Sequence, residues 1–577
     1  MKTVFRYLKR YRVQSILAPV FKMLEALMDL IVPLVVADII DVGIAGGNRP
    51  YIYQRIVLLI FLALLGMLFS FTAQYFAARA SVGATTLLRQ DLFDHIESLS
   101  YTQIDFLGTS TLITRMTSDC NQVQTGLNMA LRLLLRSPFI VFGAMIMAFT
   151  IDVRCALIFA VAIPVLAVVV LGIMLGTIPM YKNSQAQLDV ILNRTRENLT
   201  GVRVLRAFCK EDEEVARFDE ENSTLTKMNE KVGRISALLN PLSYFLIQLA
   251  TIILIQAGAV RVNLGALQQG DVVALYNYMA QIVVELIKLA SLIITINRAI
   301  ASAERVSKVL GTEPDMTYPA TSKAFPDTDE AVSFDHVHLA YQGAGAESLT
   351  DITFTAKKGQ TIGIIGGTGS GKSSLVNLIP RFYDATGGSV KIGGVDVKDL
   401  SRSDLVSLVG VVPQKAQLFQ GTIRDNLKLG NESASDAELN EALVAAQAKE
   451  VVDKKDGGLD AMVEQSGRNF SGGQKQRLTI ARALAKHPKI LILDDSASAL
   501  DFATEAALRK AIGKLTGTTV FLVSQRTTSV KHADQILVLD DGTLAGKGTH
   551  EELMKTCPVY QEIYYSQFPE ERKEAKA

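Results

Sequence analysis

The chain contains only four cysteines among its 577 residues, and their positions exclude the usual structural uses of that residue. Cys120, Cys155, Cys209 and Cys557 are scattered, and none of them belongs to a C-x-x-C pair. This spacing suggests neither a disulfide framework nor a zinc site. We therefore expect four free thiols.

An excess of charge of one sign is also absent. The 59 Lys and Arg residues nearly balance the 58 Asp and Glu residues, which gives a formal net charge of +1. No basic run occurs beyond the N-terminus, so the chain lacks the electrostatic footprint of a nucleic-acid-binding protein.

The N-terminus lacks the small-residue cleavage site of a secretory signal. The first twelve residues are basic and aromatic, with Lys2, Arg6, Lys9, Arg10 and Arg12. This composition is typical of a cytoplasmic interfacial helix that leads into a membrane span. We do not expect the segment to be removed.

Apolar residues, by contrast, are abundant. They make up 49% of the sequence, the mean hydropathy is +0.24, and the excess lies in the N-terminal half. A helix needs roughly 20 residues to cross a hydrocarbon core of about 30 Å. Six stretches meet that length: 14–40, 56–75, 133–151, 156–178, 239–260 and 272–296. The sequence therefore predicts a transmembrane domain of six helices, followed by at least one further domain.

The connectors between these stretches predict the topology. The first, third and fifth connectors are short, whereas residues 76–132 and 179–238 are long, charged and helix-like. Their Lys and Arg content places them on the side of the basic N-terminus by the positive-inside rule. Both termini are then expected in the cytosol.

Ionisable residues inside membrane spans are costly, so each one is a functional hypothesis. Glu25 and Asp29 lie four apart on one face of the first predicted helix, and Glu285 and Lys288 lie three apart in the sixth. These residues are candidates for the wall of a substrate cavity. The alternative is structural: Lys22 or a neighbouring helix neutralises the first pair, and Glu285 pairs with Lys288.

Uncharged polar residues of the sixth predicted span have the same two interpretations. Asn277, Tyr278 and Gln281 could line a cavity or form hydrogen bonds between helices. The predicted substrate cavity consists of Glu25, Asp29, Asn277, Gln281 and Glu285. Spans with few charges suit a hydrophobic or amphipathic cargo.

The C-terminal half contains a phosphate-binding loop. Residues 366–373 match G-x-x-x-x-G-K-[ST], follow an apolar strand-like run at 361–365 and open a helix-like run at 374–379. In such a loop the backbone N–H groups surround a polyphosphate, Lys372 contacts the outer phosphates, and the Ser373 hydroxyl can bind Mg²⁺. The predicted ATP-binding residues here are Gly366, Gly367, Thr368, Gly369, Ser370, Gly371, Lys372, Ser373 and Ser374.

The stretch Ser471-Gly472-Gly473-Gln474 resembles the signature motif of ABC ATPases, in which two nucleotide domains enclose ATP head to tail. Other motifs of that family occur in order: Tyr341 before the loop, Gln414 after Pro413, and Asp494 at the end of an apolar run. The resemblance implies that Tyr341 stacks on adenine and that Gln414 and Asp494 join Ser373 at Mg²⁺. It also implies that the signature contacts ATP bound to a partner. A DNA-repair member is disfavoured by the lack of a basic surface.

The resemblance extends over nearly the whole chain. Six spans with two long cytosolic excursions are similar to the exporter-type ABC transmembrane domain, in which each excursion carries a short coupling helix. The matching segments are Gln103 to Leu112 and Glu197 to Phe208; an ordinary turn between helices is the alternative.

The expected fold is a six-helix membrane domain at 1–310, a linker at 311–330 and an α/β P-loop nucleotide-binding domain at 331–566. A charged, frayed tail at 567–577 follows.

Two catalytic positions depart from the family pattern. Asp495 stands where ABC ATPases usually have the glutamate that polarises the attacking water, and Gln525 stands in place of the switch histidine. An aspartate carboxylate lies one methylene, or roughly 1.5 Å, short of the glutamate position, and a misplacement on the order of 1 Å can cost ~100-fold in rate. The alternative is that Asp and Gln serve adequately.

An altered catalytic side beside an unaltered signature predicts a heterodimer, because the two belong to opposite composite sites. The chain resembles the subunit of heterodimeric bacterial ABC exporters that carries the degenerate ATP site. The implied cofactors are ATP and Mg²⁺, and the implied partner is a second half-transporter with the catalytic Glu and the switch His. Its expected function is export of drugs or other amphipathic compounds across the bacterial cytoplasmic membrane. Siderophore or peptide import, lipid or peptide export, and ATP-gated regulation without transport are the alternatives.

Overall fold

The computed structural model describes residues 2–574, which divide into two compact units. One unit comprises the residues before position 98 together with residues 110–312, and the other comprises residues 98–109 together with those from 313 onward. The sequence assigned 98–109 to the membrane domain, whereas the structure groups this segment with the nucleotide-binding part.

The first unit is helical. Its helices are α1 (Lys2–Leu8), α2 (Arg12–Asp38), α3 (Arg49–Ser98), α5 (Thr109–Thr114), α6 (Cys120–Leu133), α7 (Arg136–Ile151), α8 (Val153–Ala207), α9 (Glu211–Ala237), α10 (Leu239–Asn263) and α11 (Gln269–Leu310). A 3-10 turn at Lys9–Tyr11 and π-helical turns at Ile39–Ile44 and Arg115–Asp119 join some of them. Buried apolar side chains from α2, α7, α8, α10 and α11 form its main core.

Five helical stretches of the described chain are long and apolar enough to cross a membrane: 49–98, 109–151, 153–207, 211–263 and 269–310. Five of the six predicted spans lie within them. The remaining one, residues 14–40, coincides with α2, which does not qualify by the same measure. Lys22, Glu25 and Asp29 lie in the middle of α2 and interrupt its apolar character.

The two segments predicted to be coupling helices differ in structure. Within 103–112, α4 (Tyr101–Leu107) is a separate short helix that begins after Ser100 and ends at Gly108, which has a φ of 76°. The prediction of a second short helix at 197–208 was wrong. Residues 197–207 are the end of α8, a continuous helix of 55 residues that also runs through Pro164 and Pro179. Phe208 then begins the turn into α9.

The second unit is an α/β domain. Its six-stranded sheet has the order β12-β11-β3-β10-β9-β6, parallel except for β12, and an antiparallel sheet has the order β2-β1-β4-β5. The strands are β1 (Glu330–Leu339), β2 (Leu349–Lys357), β3 (Thr361–Gly366), β4 (Gly387–Ile392), β5 (Val395–Asp396), β6 (Val409–Val412), β7 (Gly421–Thr422), β8 (Met462–Val463), β9 (Ile490–Asp494), β10 (Thr519–Val523), β11 (Gln535–Asp540) and β12 (Thr543–Gly548). Strands β7 and β8 pair with each other.

The helices of this unit separate into those that cover the sheet and a helical layer that carries the signature. They are α4, α12 (Lys372–Leu378), α13 (Arg402–Leu408), α14 (Ile423–Lys428), α15 (Asp436–Ala445), α16 (Lys449–Asp453), α17 (Gly472–Leu484), α18 (Phe502–Ile512), α19 (Thr527–Val530), α20 (His550–Thr556), α21 (Pro558–Gln567) and α22 (Pro569–Glu574). Short 3-10 turns occur at Val397–Asp399, Gly458–Asp460 and Gln465–Gly467. Helices α14, α15 and α17 share a core with Leu491 and Leu493 of β9.

Strands β3, β10 and β9 are adjacent and parallel, so their carboxyl ends meet at one edge of the sheet. In open α/β sheets this edge is where ligands bind. It brings together the end of β3, where the phosphate loop starts, the end of β9 at Asp494, and the loop after β10.

The tail is more ordered than the sequence predicted. Its described part contains α22, and Glu571 accepts a hydrogen bond of 2.6 Å from the Tyr564 hydroxyl. Residues 575–577 of the predicted tail lie outside the described residues.

Candidate nucleotide site and membrane cavity

The phosphate loop joins β3 to α12 and depends on glycine at several positions. Gly369 and Gly371 have φ values of 85° and 92°, in the left-handed region. A Cβ on Gly366 would lie 2.2 Å from the Leu539 carbonyl oxygen, and one on Gly371 would lie 2.8 Å from that of Ser348. Backbone conformation and close packing therefore both require glycine here.

The Lys372 side chain folds back over this loop. Its ammonium donates to the carbonyl oxygens of Gly366 at 2.9 Å and Gly367 at 2.6 Å. Burial lowers the pKa of this ammonium, while the carboxylates of Asp495 and Asp494 oppose the shift. A buried cation is thus held at the loop, where phosphates would bind.

A hydroxyl and a carboxylate meet beside the loop. Ser373 Oγ, at the start of α12, donates to Asp494 Oδ1 at the end of β9 over 3.1 Å. Burial raises the pKa of Asp494, the hydrogen bond from Ser373 opposes this, and the nearby Asp495 raises it further. Hydroxyl and carboxylate oxygens are ligands that Mg²⁺ prefers, so these two residues fit the predicted metal site.

Gln414, the third predicted metal residue, contacts Asp495. Its Nε2 donates to Asp495 Oδ2 at 3.4 Å. Asp495 has a φ of 42°, and its N–H donates to the Val523 carbonyl oxygen at 3.0 Å. Burial raises the pKa of this carboxyl, and Gln414, Lys372 and Arg526 oppose the shift. The structure thus places both Asp494, predicted to bind Mg²⁺, and Asp495, predicted to be catalytic, near Lys372.

Gln525 follows β10 and has an exposed side chain. The loop that carries it is fixed by a residue that no sequence motif indicated. Gln567, the last residue of α21, donates from Nε2 to the Gln525 carbonyl oxygen at 2.8 Å. Its Oε1 accepts from both the N–H and the hydroxyl of Thr527 at 2.9 Å. Helix α21 therefore fixes the main chain at Gln525, the position predicted for the switch residue.

A second contact outside the motifs links the same loop to α18. Arg526 donates to Glu505 at 3.1 Å, and the Ser529 hydroxyl also donates to Glu505. The Arg526 charge lowers the pKa of Asp495 and the Glu505 charge raises it, so both members of this ion pair act on the carboxyl predicted to be catalytic.

Tyr341, predicted to stack on adenine, lies beside the start of α12. Its hydroxyl donates to Ser374 Oγ at 3.0 Å, and its ring meets that of Tyr383 edge-on at 5.0 Å. The Tyr383 hydroxyl in turn donates to Asp105 of α4 at 2.6 Å, and burial followed by this carboxylate raises the pKa of Tyr383. The Tyr101 ring of α4 lies 6.2 Å from the same tyrosine.

The signature residues form the start of α17. Ser471 N–H donates to Gln474 Oε1 at 2.9 Å, and the Gln474 N–H donates to Ser471 Oγ at 3.4 Å, which is a capping box. A Cβ on Gly472 would meet nothing within 4 Å, whereas one on Gly473 would lie 3.0 Å from the Ala499 carbonyl oxygen. Over residues 2–574, no hydrogen bond given by the structure joins 471–474 to the loop at 366–374.

In the membrane unit, a cavity of about 560 Å³ lies between α2, α7 and α11. Four of the five predicted substrate-cavity residues line it: Asp29, Asn277, Gln281 and Glu285. Glu25 is not among the lining residues, and it accepts a hydrogen bond of 2.5 Å from Lys22, as the structural alternative predicted.

Arg136, which the sequence analysis did not single out, is the central charge of this cavity. It donates to Glu285 Oε1 at 2.6 Å and to Asp29 Oδ2 at 3.0 Å. Glu285 also accepts from Ser137 at 2.7 Å and from Lys288 at 3.0 Å, so the predicted Glu285 and Lys288 pair is present. One sequence signal could have identified Arg136. It lies inside a predicted membrane span, where an arginine needs an acidic partner.

The backbone of α2 explains the position of Gln281. Pro33 has no N–H to bond the carbonyl oxygen of Asp29, four residues earlier. Gln281 Nε2 donates to that oxygen at 3.2 Å. Tyr278, one turn away on α11, donates to the Leu30 carbonyl oxygen at 2.6 Å. Hydrogen bonds between helices, one of the two predicted roles, are therefore present for both residues.

Comparison with known proteins identifies the family. Residues 15–286 match the ABC transporter transmembrane region, and residues 349–498 match the ABC transporter family model. The ABC transporter ATP-binding protein YfiB of Bacillus subtilis is 36% identical over 575 residues, which covers 100% of both chains. The chain belongs to the ABC transporter family. Its nucleotide-binding domain is accordingly that of an ATPase coupled to transport.

Other relatives of this ABC transporter are similar over most of their length. An ABC transporter ATP-binding protein of Mycobacterium tuberculosis is 35% identical over 569 residues, or 97% of each chain. The probable multidrug resistance protein YheI of Bacillus subtilis is 33% identical over 483 residues, or 83% of this chain and 82% of the relative. A bacterial Atm1-family ABC exporter with ATP bound has a TM-score of 0.78 at 24% identity, covering 97% of this chain and 98% of its own. This last likeness shows an exporter-type fold.

Proposed function

We propose that this chain is one half of a heterodimeric, ATP-driven exporter of the bacterial cytoplasmic membrane, with both termini in the cytosol. The observation that carries the proposal is the combination of Asp495 and Gln525 with an unaltered signature at 471–474. In a homodimer both composite sites would be impaired and the intact signature would serve no competent site.

The chain's own site binds ATP and hydrolyses it slowly. The loop at 366–371 and Lys372 hold the phosphates, Tyr341 stacks on adenine, and Ser373, Gln414 and Asp494 surround Mg²⁺. Gln414 donates a hydrogen bond to Asp495 and the Lys372 charge stabilises its ionised form. The shorter side chain of Asp495 leaves the carboxylate short of an attacking water.

Gln525 adds a second deficit at that site. Its amide can form a hydrogen bond to a phosphate, but it cannot carry the positive charge that a histidine can. The deficit is one of chemistry rather than position, because Gln567 and Thr527 hold the main chain of the loop in place.

The signature serves the partner's site. Residues 471–474 cap a helix of 13 residues, whose N-terminus presents backbone N–H groups and partial positive charge toward an anion. The space around Gly472 allows the phosphates of partner-bound ATP to approach the backbone closely. The partner then supplies the catalytic Glu and the switch His, and most hydrolysis takes place at its site.

For the cargo we propose a drug or another amphipathic compound, bound in the cavity between α2, α7 and α11. The cavity volume of about 560 Å³ falls within the roughly 300–1,000 Å³ of typical ligand pockets. One relative, YheI, is named a probable multidrug resistance transporter, which favours the same class. Siderophore or peptide import, lipid or peptide export and ATP-gated regulation are the competing functions.

The test uses the full-length chain alone and assembled with a half-transporter that has both consensus catalytic residues. We expect little ATPase activity from the chain alone and substrate-stimulated activity from the pair. Turnover on the order of 1 s⁻¹ or faster by the chain alone would contradict the heterodimer. Inverted vesicles separate export from import, and absence of substrate-stimulated activity in the pair would favour the regulator.

A further inference from the structure

The cavity between α2, α7 and α11 contains an alternating row of charges. Asp29 contacts Arg136, Arg136 contacts Glu285, and Glu285 contacts Lys288, at 3.0, 2.6 and 3.0 Å. The signs alternate along the row, so the row as a whole is neutral. A ligand with a net charge would therefore have to displace one member of a pair in order to be neutralised.

The four charged groups differ sharply in accessibility. The Arg136 and Glu285 side chains are 11% and 4% exposed, whereas those of Asp29 and Lys288 are 45% and 46% exposed. The inner pair is further satisfied by Ser137, which donates to Glu285. A ligand in the cavity therefore meets one carboxylate and one ammonium, at opposite ends of a buried ion pair.

The remaining lining of the cavity is amide and apolar. Gln281 uses only its Nε2, and its buried Oε1 has no partner among the residues that the structure describes. A buried acceptor without a partner costs free energy, which an N–H donor can recover. Val32, Val36, Ile140 and Val284 supply an apolar surface.

We propose that this cavity selects zwitterionic amphipaths. The ligand's ammonium contacts Asp29 and offers an N–H toward Gln281, its carboxylate contacts Lys288, and its apolar body lies on the aliphatic surface. A short peptide with apolar side chains and free termini has the same chemistry and serves as a probe for this class of amphipath. The inference rests on the proposed role of the cavity as the cargo site, and it narrows that cargo to one charge class.

The chain contains no tryptophan, so a tryptophan-bearing probe can be followed by its own fluorescence. We would measure binding of leucyl-tryptophan to the full-length protein in nanodiscs without ATP, beside its N-acetyl form, which is an anion, and its amide, which is a cation. We expect the free peptide to bind about ten-fold more tightly than either, as one charge-assisted hydrogen bond would provide. Equal binding of all three forms would overturn the proposal.

Two variants test which residue contacts the ammonium of the peptide and which contacts its carboxylate. Asp29→Asn is expected to remove the advantage of the free peptide over the N-acetyl form, and Lys288→Gln its advantage over the amide. Asp38→Asn is the matched control, because Asp38 lies on the same helix, is 46% exposed and contacts Arg55 at 3.0 Å. If Asp38→Asn changed the preference as Asp29→Asn does, the assignment to this cavity would be wrong.

Lys288→Gln is expected to fold normally, because Glu285 keeps Arg136 and Ser137 as partners in that variant. ATP-driven uptake of the same peptides into inverted vesicles that contain the chain assembled with its half-transporter partner tests the transport function separately. Selective binding without uptake would contradict transport and leave the ligand class standing. Uptake of all three peptides at equal rates would contradict the ligand class and leave transport standing.

Discussion

Gln414 and Asp495 are joined by a hydrogen bond of 3.4 Å between the amide nitrogen and Oδ2. The amide expected at the metal thus lies against the carboxylate expected at the attacking water. A glutamate at position 495, whose side chain is one methylene longer, would extend past this contact.

Asp495→Glu is expected to raise turnover at the chain's own site only in part, because Gln525 remains neutral. Adding Gln525→His should raise it again. The measurement is single-turnover hydrolysis at each site of the pair assembled with the wild-type partner. If Asp495→Glu alone made the two sites equivalent, the reach of the carboxylate would be the whole defect and the role given to Gln525 would be wrong.

Lys372→Ala and Gly472→Glu should separate the two composite sites. The first weakens nucleotide retention at the slow site and leaves part of the transport activity. The second places a carboxylate against the phosphates of partner-bound ATP, and loss of transition-state stabilisation of this kind costs about 100-fold or more. Transport and ATPase activity are both measured at saturating ATP, with each variant assembled with the wild-type partner.

Gly472→Ala provides the control for that comparison. A Cβ at this position meets nothing within 4 Å in the chain itself, so the variant should fold and bind ATP as the wild type does. If Lys372→Ala abolished turnover while Gly472→Glu left it near wild type, the assignment of the two sites would be reversed.

The pKa of Asp494 predicts how Mg²⁺-dependent ATP binding responds to pH. Burial raises that pKa above the ordinary aspartate value, and the charge of Asp495 raises it further. Mg²⁺ binds the ionised carboxylate, so affinity falls as the pH drops through the raised pKa, at a higher pH than an ordinary carboxyl would give. Asp495→Asn removes one cause and should move the midpoint of this loss to lower pH, as measured with a fluorescent ATP analogue. A shift to higher pH would contradict the argument.

Arg136→Gln is expected to destabilise the membrane unit, because it leaves Glu285 without its principal partner in a buried position. Removing one member of a buried pair typically costs about 3–5 kcal/mol. Adding Glu285→Gln removes this buried carboxylate, for which the half-exposed Lys288 is then the remaining cationic partner, and should restore most of the loss in thermal unfolding of the reconstituted protein. An equally unstable double variant would show that packing, rather than charge, sets the effect.

The sequence predicted those parts of the site that depend on local backbone. The phosphate loop and the strand ending at Asp494 were each predicted within a residue or two, because glycines and an apolar run act over short distances. The helix that Ser471 caps was not predicted, although its signature motif was recognised. Only some of the ion pairs in the membrane unit were predicted. The pair of Glu285 and Lys288 was among them, because the two residues lie within one helical turn.

Contacts between distant parts of the chain could not be predicted in this way. Arg136 meets Glu285 across 149 positions, and Gln567 meets Gln525 across 42. No periodicity or motif specifies such partners. The second predicted coupling helix failed for a related reason, since the sequence gives no signal there to break a helix that began at Val153.

The hydrogen bonds between Gln567 and the loop after β10 can form only after α21 has been synthesised. The last turn of α21 is synthesised after the helices of the membrane unit and the strands of the nucleotide-binding domain. Until then the loop after β10 cannot form its hydrogen bonds with α21. A nascent or truncated chain that ends before this turn already contains the phosphate loop and the signature. What such a chain lacks is the pair of contacts that hold Gln525 and Thr527, so this loop is fixed only after α21 has been made.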